Sequence, residues 1–250
     1  MHEASLQSVR ERLQAAASVC VLTGAGMSAE SGIPTFRDAL AGLWSRFDPA
    51  ALASEEGFRA DPQLVWDWYA QRRDAVHRAE PNAGHRALAA FVAARAGGVT
   101  VITQNVDDLH QRAGCRDTIR LHGDILQDRW LEACPRTVAC HARSAVPGRP
   151  PRCADCGNLV RPGVVWFGEM LPVHAIDAAE AAARRCEVML VVGTSGAVWP
   201  AAGLAGSARA AGAFVVIVNP HASEIDAQAH AVLRSTAAVA LPALLGTPTR

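Results

Sequence analysis

The chain has 250 residues, half of them hydrophobic, with 24 acidic and 24 basic residues. This length and composition are sufficient for a sizeable hydrophobic core, so they exclude a disordered chain and favour one large domain, or one domain with a small insert. The balanced charge gives no general electrostatic reason to expect nucleic acid or an anionic membrane as a partner. All the basic residues are arginine, since the sequence contains no lysine.

The N-terminal segment, residues 1–18, mixes charged and apolar residues in a helical pattern and lacks the apolar centre of a signal peptide. No apolar run free of glycine and charge reaches the length of about 18 residues that a transmembrane helix requires. We therefore expect a cytoplasmic protein with no membrane partner. In that reducing compartment the seven cysteines are expected to be metal ligands and buried thiols rather than disulfides.

A short β-prone run begins at Val19 and stops at the turn Gly24-Ala25-Gly26. A glycine turn after a strand lets backbone N–H groups approach a pyrophosphate, so it indicates a nucleotide site. The pattern fits the dinucleotide fingerprint with Ala29 in the third place, but the acidic residue expected about 20 positions later is missing. Since such a turn is often only a tight turn, the rest of the chain has to decide between the two interpretations.

Residues 52–95 have helical periodicity with a break near Pro81, and further β-prone runs then follow. Polar residues end several of these runs, as ligand sites of open α/β sheets require. Alternating strands and helices, including a helix at about 180 to 186 and a Gly- and Ala-rich helix, favour a parallel, doubly wound sheet. Residues 126–163 lack periodicity and are predicted to be a small inserted module. The runs expected to be strands after the first are 99–103, 118–121, 188–192 and 214–218.

Four cysteines in the inserted module are spaced C-x5-C-x12-C-x2-C, which is typical of one tetrahedral zinc ion. The second pair has the spacing of a zinc knuckle, whereas the first pair is more widely spaced, and His141 competes there with Cys140. Buried thiols are the alternative. Because protein ligands would fill all four positions, the zinc is expected to be structural. The predicted ligands are Cys134, Cys140, Cys153 and Cys156.

His122 follows the third predicted strand at the edge where other strands also end in polar residues. An imidazole at that position would serve as a general base, although a lone histidine is more often structural. His85 and His110 lack this context and are interpreted as structural.

Tyr69, the only tyrosine, and Arg72 lie one helical turn apart, so both can face the same side of one helix. Together they would form a receptor for a small carboxylate, with Arg72 pairing bidentately and Tyr69 donating a hydrogen bond. The alternative is a partly buried aromatic residue beside a solvated arginine.

The motifs GAGMSAESGIPTFRD, TQNVDDLHQRAG, LHG, VVWFGE, GTSGAVWP and VNP, with the four cysteines, resemble in this order the sirtuin family of NAD-dependent protein-lysine deacylases. The resemblance spans about residues 19–242. It implies a Rossmann-type NAD-binding domain formed by residues 1–45, 80–125 and 164–250. A helical insertion at 46–79 and a zinc-binding module at 126–163 would form a smaller lobe.

The resemblance also implies that NAD is consumed as a co-substrate, which would explain the missing acidic residue. His122 and Asn105 would be catalytic, and acylated-lysine proteins or peptides would contact Val165, Phe167, Gly168 and Glu169 in a strand-like manner. The implied NAD contacts are Gly24, Ala25, Gly26, Glu30, Thr35, Phe36, Arg37, Gln104, Asn105, Asp107, Gly193, Thr194, Ser195, Asn219 and Ala237.

In the implied reaction the acyl-lysine carbonyl oxygen attacks C1′ of the nicotinamide ribose, and nicotinamide leaves. His122 then deprotonates the ribose so that its 2′ oxygen attacks the acyl carbon, and water releases lysine and 2′-O-acyl-ADP-ribose. Tyr69 and Arg72 resemble the pair of the family branch that removes succinyl, malonyl and glutaryl groups. Ala41 would leave room for such groups, and bacterial members of this branch commonly remove acetyl as well.

Two alternatives remain at this stage. Protein ADP-ribosyl transfer or NAD hydrolysis would use the same electrophilic C1′ atom on the same scaffold. A zinc-ribbon module that binds nucleic acid through the arginines of residues 126–163 is less favoured, because the whole chain is electrically neutral.

Overall fold

The computed structural model describes residues 3–34, 48, 52–95, 97–133 and 145–246. Their strands are β1 (Val19–Thr23), β2 (Val99–Thr103), β3 (Ile119–Arg120), β4 (Gly123–Trp130), β5 (Val160–Val164), β6 (Val188–Val192), β7 (Phe214–Val218) and β8 (Ala231–Leu233). Their α-helices are α1 (Glu3–Ala15), α2 (Glu55–Ala60), α3 (Pro62–Arg78), α4 (Ala83–Ala93), α5 (Leu109–Ala113), α6 (Val173–Arg185), α7 (Gly203–Ala210) and α8 (Ala237–Leu245).

The main sheet has six strands in the order β3-β2-β1-β6-β7-β8, and every neighbouring pair is parallel. From the centre of the sheet, β1, β2 and β3 follow one another toward one edge, and β6, β7 and β8 follow one another toward the other edge. Thr23 pairs with both Thr103 and Val192, so the three central strands end at the same level. The Rossmann-type doubly wound fold predicted from the sequence is confirmed, and its topological switch point lies between β1 and β6.

Helices cover both faces of this sheet. Helices α1, α4 and α8 share one apolar core with it, and α6 and α7 share another on the opposite face. All five residues of β1 and of β6 are buried, because each strand is covered on both sides. This explains why, apart from Thr23 at the end of β1, the two strands are continuously apolar rather than alternating.

A second, two-stranded sheet pairs β4 with β5 antiparallel. Its residues pack against α2 and α3 in a third core that contains Phe58, Trp68, Ile125 and Trp166. The predicted domain boundaries at 125/126 and 163/164 fall inside these two strands, so the inserted module joins the main sheet through paired strands. The division into domains itself stays a prediction.

The structure departs from the sequence interpretation at the β4-β5 sheet, neither strand of which was predicted, and at elements after residue 170. Helix α6 begins at Val173 after Pro172, not near residue 180, because buried alanines recur along its whole length. Strand β8 and helix α8 were not predicted, since β8 has only three residues and α8 is apolar on nearly all sides. No helix in the described part of the chain is both long and apolar enough to cross a membrane.

Candidate active site

A cavity of about 820 Å³ lies where the central strands of the main sheet end, between their loops, helix α3 and the segment after β5. This is the position at which open α/β sheets bind ligands. The cavity brings together every described residue that was predicted for the active site: Gly24, Ala25, Gly26, Glu30, Tyr69, Arg72, Gln104, Asn105, Asp107, His122, Val165, Phe167, Gly168, Glu169, Gly193, Thr194, Ser195, Asn219 and Ala237. Thr35, Phe36, Arg37 and Ala41 lie outside the described residues.

Two glycine turns contact each other at the switch point. The N–H of Gly24 donates to the Val192 carbonyl at 2.9 Å, and that of Gly26 donates to the Gly193 carbonyl at 2.8 Å. A Cβ atom on Gly26 would lie 2.8 Å from the Cα of Gly193, which itself has a φ of 63°. Only glycine permits both the close approach and the left-handed backbone. The turns after β1 and β6 therefore form one surface of the cavity.

Asn105 is held by a network of polar side chains. Its Nδ2 donates to Ser28 Oγ at 3.1 Å, and Ser28 Oγ donates in turn to Asp107 Oδ2 at 2.9 Å. The backbone N–H of Asn105 donates to Thr103 Oγ1 at 3.0 Å. Burial raises the pKa of Asp107, while the hydrogen bonds from Leu109 and Ser28 oppose that shift. Ser28 was not predicted as a site residue, although its place two residues after the glycine turn was a usable signal.

His122 is held in one tautomer. Its Nδ1 lies 2.9 Å from the carbonyl oxygen of Gln104, and because a carbonyl only accepts, Nδ1 carries the proton. The lone pair is therefore on Nε2. Burial lowers the pKa of His122 below its ordinary value, and the hydrogen bond to Gln104 only partly offsets this effect. At neutral pH the ring is accordingly an uncharged proton acceptor.

Hydrogen bonds to Thr194 connect the loops that follow β2, β6 and β7. Gln104 Nε2 donates to Thr194 Oγ1 at 3.1 Å, and Asn219 Nδ2 donates to the Thr194 carbonyl at 2.8 Å. Glu30 accepts the backbone N–H of Ala238 at 2.9 Å, so its carboxylate lies at the N-terminal end of helix α8. A carboxylate is favourable there because the first N–H groups of a helix have no partner within it.

Tyr69 and Arg72 both line the cavity from helix α3, so Arg72 is not the solvated surface residue of the alternative interpretation. The Tyr69 hydroxyl accepts a hydrogen bond from Trp166 Nε1 at 3.0 Å, and burial raises the pKa of Tyr69 to about 12. The Arg72 guanidinium carbon lies 5.0 Å from the centre of the Trp68 ring. Burial lowers the pKa of Arg72. None of the ion pairs between described residues involves Arg72.

Only half of the predicted zinc site is among the described residues, since Cys134, Cys140 and His141 lie outside them. Cys153 and Cys156 share one turn, closed by a hydrogen bond of 3.0 Å from the Gly157 N–H to the Cys153 carbonyl. Gly157 follows with a φ of 73°, a left-handed conformation that glycine adopts without strain. The described part of the chain contains no cluster of three or more possible metal ligands, so zinc stays a prediction.

The sequence matches a model of the Sir2 family over residues 24–200. It is 54% identical over 236 residues to an NAD-dependent protein deacylase of Ralstonia nicotianae, with 94% of each chain covered. It is 52% identical over 245 residues to an NAD-dependent protein deacylase of Methylococcus capsulatus, with 93% of each chain covered. The chain therefore belongs to the Sir2 family, and the resemblance to sirtuins is confirmed.

Solved structures of Sir2 proteins agree with this assignment. A complex of a Sir2 homologue with NAD is similar with a TM-score of 0.84 and 41% identity, covering 96% of this chain and 92% of the other. A Sir2 protein bound to a propionylated peptide is similar with a TM-score of 0.79 and 29% identity, covering 93% and 94%.

Proposed function

We propose that this Sir2-family enzyme removes acidic acyl groups, namely succinyl, malonyl and glutaryl, together with acetyl from lysine side chains of proteins. The family and the named relatives make it an NAD-dependent protein deacylase. The acidic preference rests on one observation. Arg72 lines the cavity beside Tyr69, and no carboxylate of the described residues is paired with it.

The chemistry of Arg72 and Tyr69 suits a terminal carboxylate. The Arg72 guanidinium forms no direct ion pair with a described residue, although Asp107 is near enough to act on it electrostatically. An anion that enters the cavity can therefore form a charge-assisted hydrogen bond with it. With a pKa of about 12, Tyr69 keeps its proton at neutral pH, and its hydroxyl can donate a hydrogen bond to the same carboxylate. A hydrogen bond to a charged group contributes about 1.5 to 3 kcal/mol, whereas the acetyl group has no such charge to offer.

The proposed reaction follows the sirtuin scheme with NAD as a co-substrate. We assign the contacts with NAD to the two glycine turns and to the polar residues of the cavity, together with Thr35, Phe36 and Arg37. Attack of the acyl carbonyl oxygen on C1′ releases nicotinamide. His122, neutral and with Nε2 free to accept, then takes the ribose proton, which allows the 2′ oxygen to attack the acyl carbon.

We further assign one structural Zn²⁺ to Cys134, Cys140, Cys153 and Cys156. The support is the chemistry of the four thiols and the tight turn that carries the second pair. With all four positions filled by protein, the ion takes no part in the reaction and acts through folding.

The test is mass spectrometry of one peptide carrying acetyl-, succinyl- or malonyl-lysine, incubated with and without NAD. Tyr69→Phe and Arg72→Met are expected to lose turnover of the acidic groups by at least about tenfold, as removal of one charged hydrogen-bond partner predicts, while keeping acetyl turnover. Arg78→Met, in the last turn of the same helix, is the matched control.

The outcomes separate the candidate activities. Wild-type enzyme that removes only acetyl contradicts the acidic preference and keeps the deacylase assignment. Nicotinamide together with acyl-ADP-ribose identifies deacylation, whereas ADP-ribosylated protein or free ADP-ribose identifies transfer or NAD hydrolysis.

A further inference from the structure

We propose that Trp166 and Arg161 are positioning residues that hold Tyr69 as a hydrogen-bond donor for an acidic acyl group. This inference rests on the proposed function and concerns residues that do not themselves contact the acyl carboxylate. It identifies the side chains that surround Tyr69, of which Trp166 and Glu169 also line the cavity, as a determinant of acyl specificity.

The hydroxyl group of Tyr69 accepts a hydrogen bond from Trp166. Trp166 Nε1 lies 3.0 Å from Tyr69 Oη, and since an indole nitrogen only donates, the hydroxyl is the acceptor. No hydrogen bond between described residues uses the hydroxyl as a donor. A carboxylate bound by Arg72, one helical turn away, is the partner that would accept a hydrogen bond from this hydroxyl. An acetyl group presents no such acceptor, so the arrangement favours acidic acyl groups specifically.

Trp166 is itself held in place by the buried side chain of Arg161. Its side chain is 2% exposed, and the guanidinium carbon of Arg161, itself 1% exposed, lies 3.2 Å from the centre of its ring. Arg161 Nη2 also donates to the Val164 carbonyl at 2.8 Å. The cation is thus fixed over the indole face by backbone contacts as well as by its attraction to the ring.

Glu169 connects Arg161 with the backbone of Trp166. Its carboxylate pairs with Arg161, accepts the backbone N–H of Trp166 at 2.8 Å and accepts from Arg129 at 2.9 Å. These partners hold the pKa of Glu169 below its ordinary value despite its partial burial. Glu169 was predicted to contact the substrate peptide, and here its oxygens are engaged in holding Trp166. Linked hydrogen bonds of this kind strengthen one another away from water.

The test is the variant Trp166→Phe, which keeps an aromatic ring and removes the indole N–H. We expect kcat/KM for a succinyl-lysine peptide to fall by about tenfold, the effect of one lost hydrogen bond, with kcat/KM for the acetyl peptide unchanged. Trp66→Phe, the same replacement on helix α3 at a position that does not line the cavity, is the control. An equal fall for both peptides would mean that Trp166 is merely structural.

A double-mutant cycle with Tyr69→Phe decides whether Trp166 acts through Tyr69. If it does, the double variant has the succinyl activity of Tyr69→Phe alone, whereas additive losses overturn the inference.

Should Trp166→Phe not fold, Arg161→Lys is the second variant. It keeps a cation but loses the planar stack on Trp166, and we expect the ratio of succinyl to acetyl turnover to fall. An unchanged ratio overturns the inference. Wild-type enzyme without acidic deacylation overturns the proposed function and this inference together, while an active wild type with an unaffected Trp166→Phe overturns the inference alone.

Discussion

His122 is a single side chain whose charge state, tautomer and position are all set by its surroundings. The Gln104 carbonyl fixes the proton on Nδ1, and burial favours the neutral ring. Its own backbone carbonyl accepts the N–H of Val165 at 2.9 Å. The proposed base is therefore held directly beside the segment predicted to pair with the substrate peptide.

The pH dependence of activity follows from this environment. Because the pKa of His122 lies below its ordinary value of 6.5, the neutral base persists as the pH falls. We expect the acidic limb of kcat/KM against pH to lie below 6.5, and a limb above that value would contradict the assignment. His122→Ala should lower kcat by at least about a hundredfold, as loss of a general base predicts, with the melting temperature as the check on folding.

Helices α4 and α5 contribute a buried histidine pair that does not line the cavity. The rings of His85 and His110 lie 5.0 Å apart, and His110 Nε2 is 2.9 Å from Thr23 Oγ1. Burial lowers the pKa of His85 to about 3 and that of His110 to about 4. Both rings are consequently neutral wherever the protein is folded near neutral pH, in keeping with the structural role predicted from the sequence.

This pair should make the protein sensitive to acid. Below pH 6.5 the unfolded chain binds protons on these histidines while the folded protein does not, so the free energy of unfolding falls as the pH falls. At pH 5 the expected loss is about 2 kcal/mol for each histidine. Chemical denaturation at pH 7 and pH 5 measures it, and His85→Gln should show a smaller difference between the two. Equal pH dependence in the variant would contradict the explanation.

The contact between the glycine turns after β1 and β6 predicts how single glycine substitutions change stability and NAD binding. Gly26→Ala places a methyl group against the backbone of Gly193, so we expect a loss of more than about 2 kcal/mol in unfolding free energy and weaker NAD binding. Gly212→Ala is the control, because its φ of 98° is strained but no atom lies within 4 Å of the added Cβ. Its cost should be about 1 to 2 kcal/mol, with NAD binding unchanged. Equal NAD affinity of Gly26→Ala and the wild type would contradict the role of this contact.

The elements that could be predicted from the sequence are those with a local signal. The strands at 99–103, 188–192 and 214–218 and the glycine turn depend on neighbouring residues, and the structure has them at those positions. The contacts between Gly26 and Gly193, or between Trp166 and Tyr69, join residues far apart in the chain, and no local pattern specifies them. Trp166 belongs to the motif VVWFGE, but its hydrogen bond to Tyr69 depends on how the chain after β5 packs against α3.

At the scale of the whole molecule, the cavity lies between the main sheet and the smaller β4-β5 sheet. Helix α3 joins them, since Tyr69 and Arg72 line the cavity while Arg73 donates to the Ile125 carbonyl at 2.6 Å and pairs with Asp128 on β4. Strand β5 leads directly into the segment that carries Trp166. The geometry of the proposed acyl receptor thus depends on how the smaller sheet and the predicted inserted module are folded.

Removal of zinc should therefore impair activity indirectly. We expect about one zinc per chain by elemental analysis, as a single four-thiolate site requires. A chelator should lower both the melting temperature and the turnover of every acyl peptide together. Cys153→Ser should reproduce the effect, whereas Cys115→Ser, at a buried thiol outside the module, should keep its zinc. A fully active, zinc-free protein would contradict the assignment.

Tyr69 is the sole tyrosine of the chain, and its hydroxyl contacts Trp166 beside the cavity. Protein produced with fluorotyrosine would give a single fluorine resonance, already assigned and located where the acyl group is expected. Its chemical shift would report directly on which acyl-lysine peptide is bound, without a label on the substrate. The same residue that is proposed to select the acyl group thus offers a built-in spectroscopic probe of that selection.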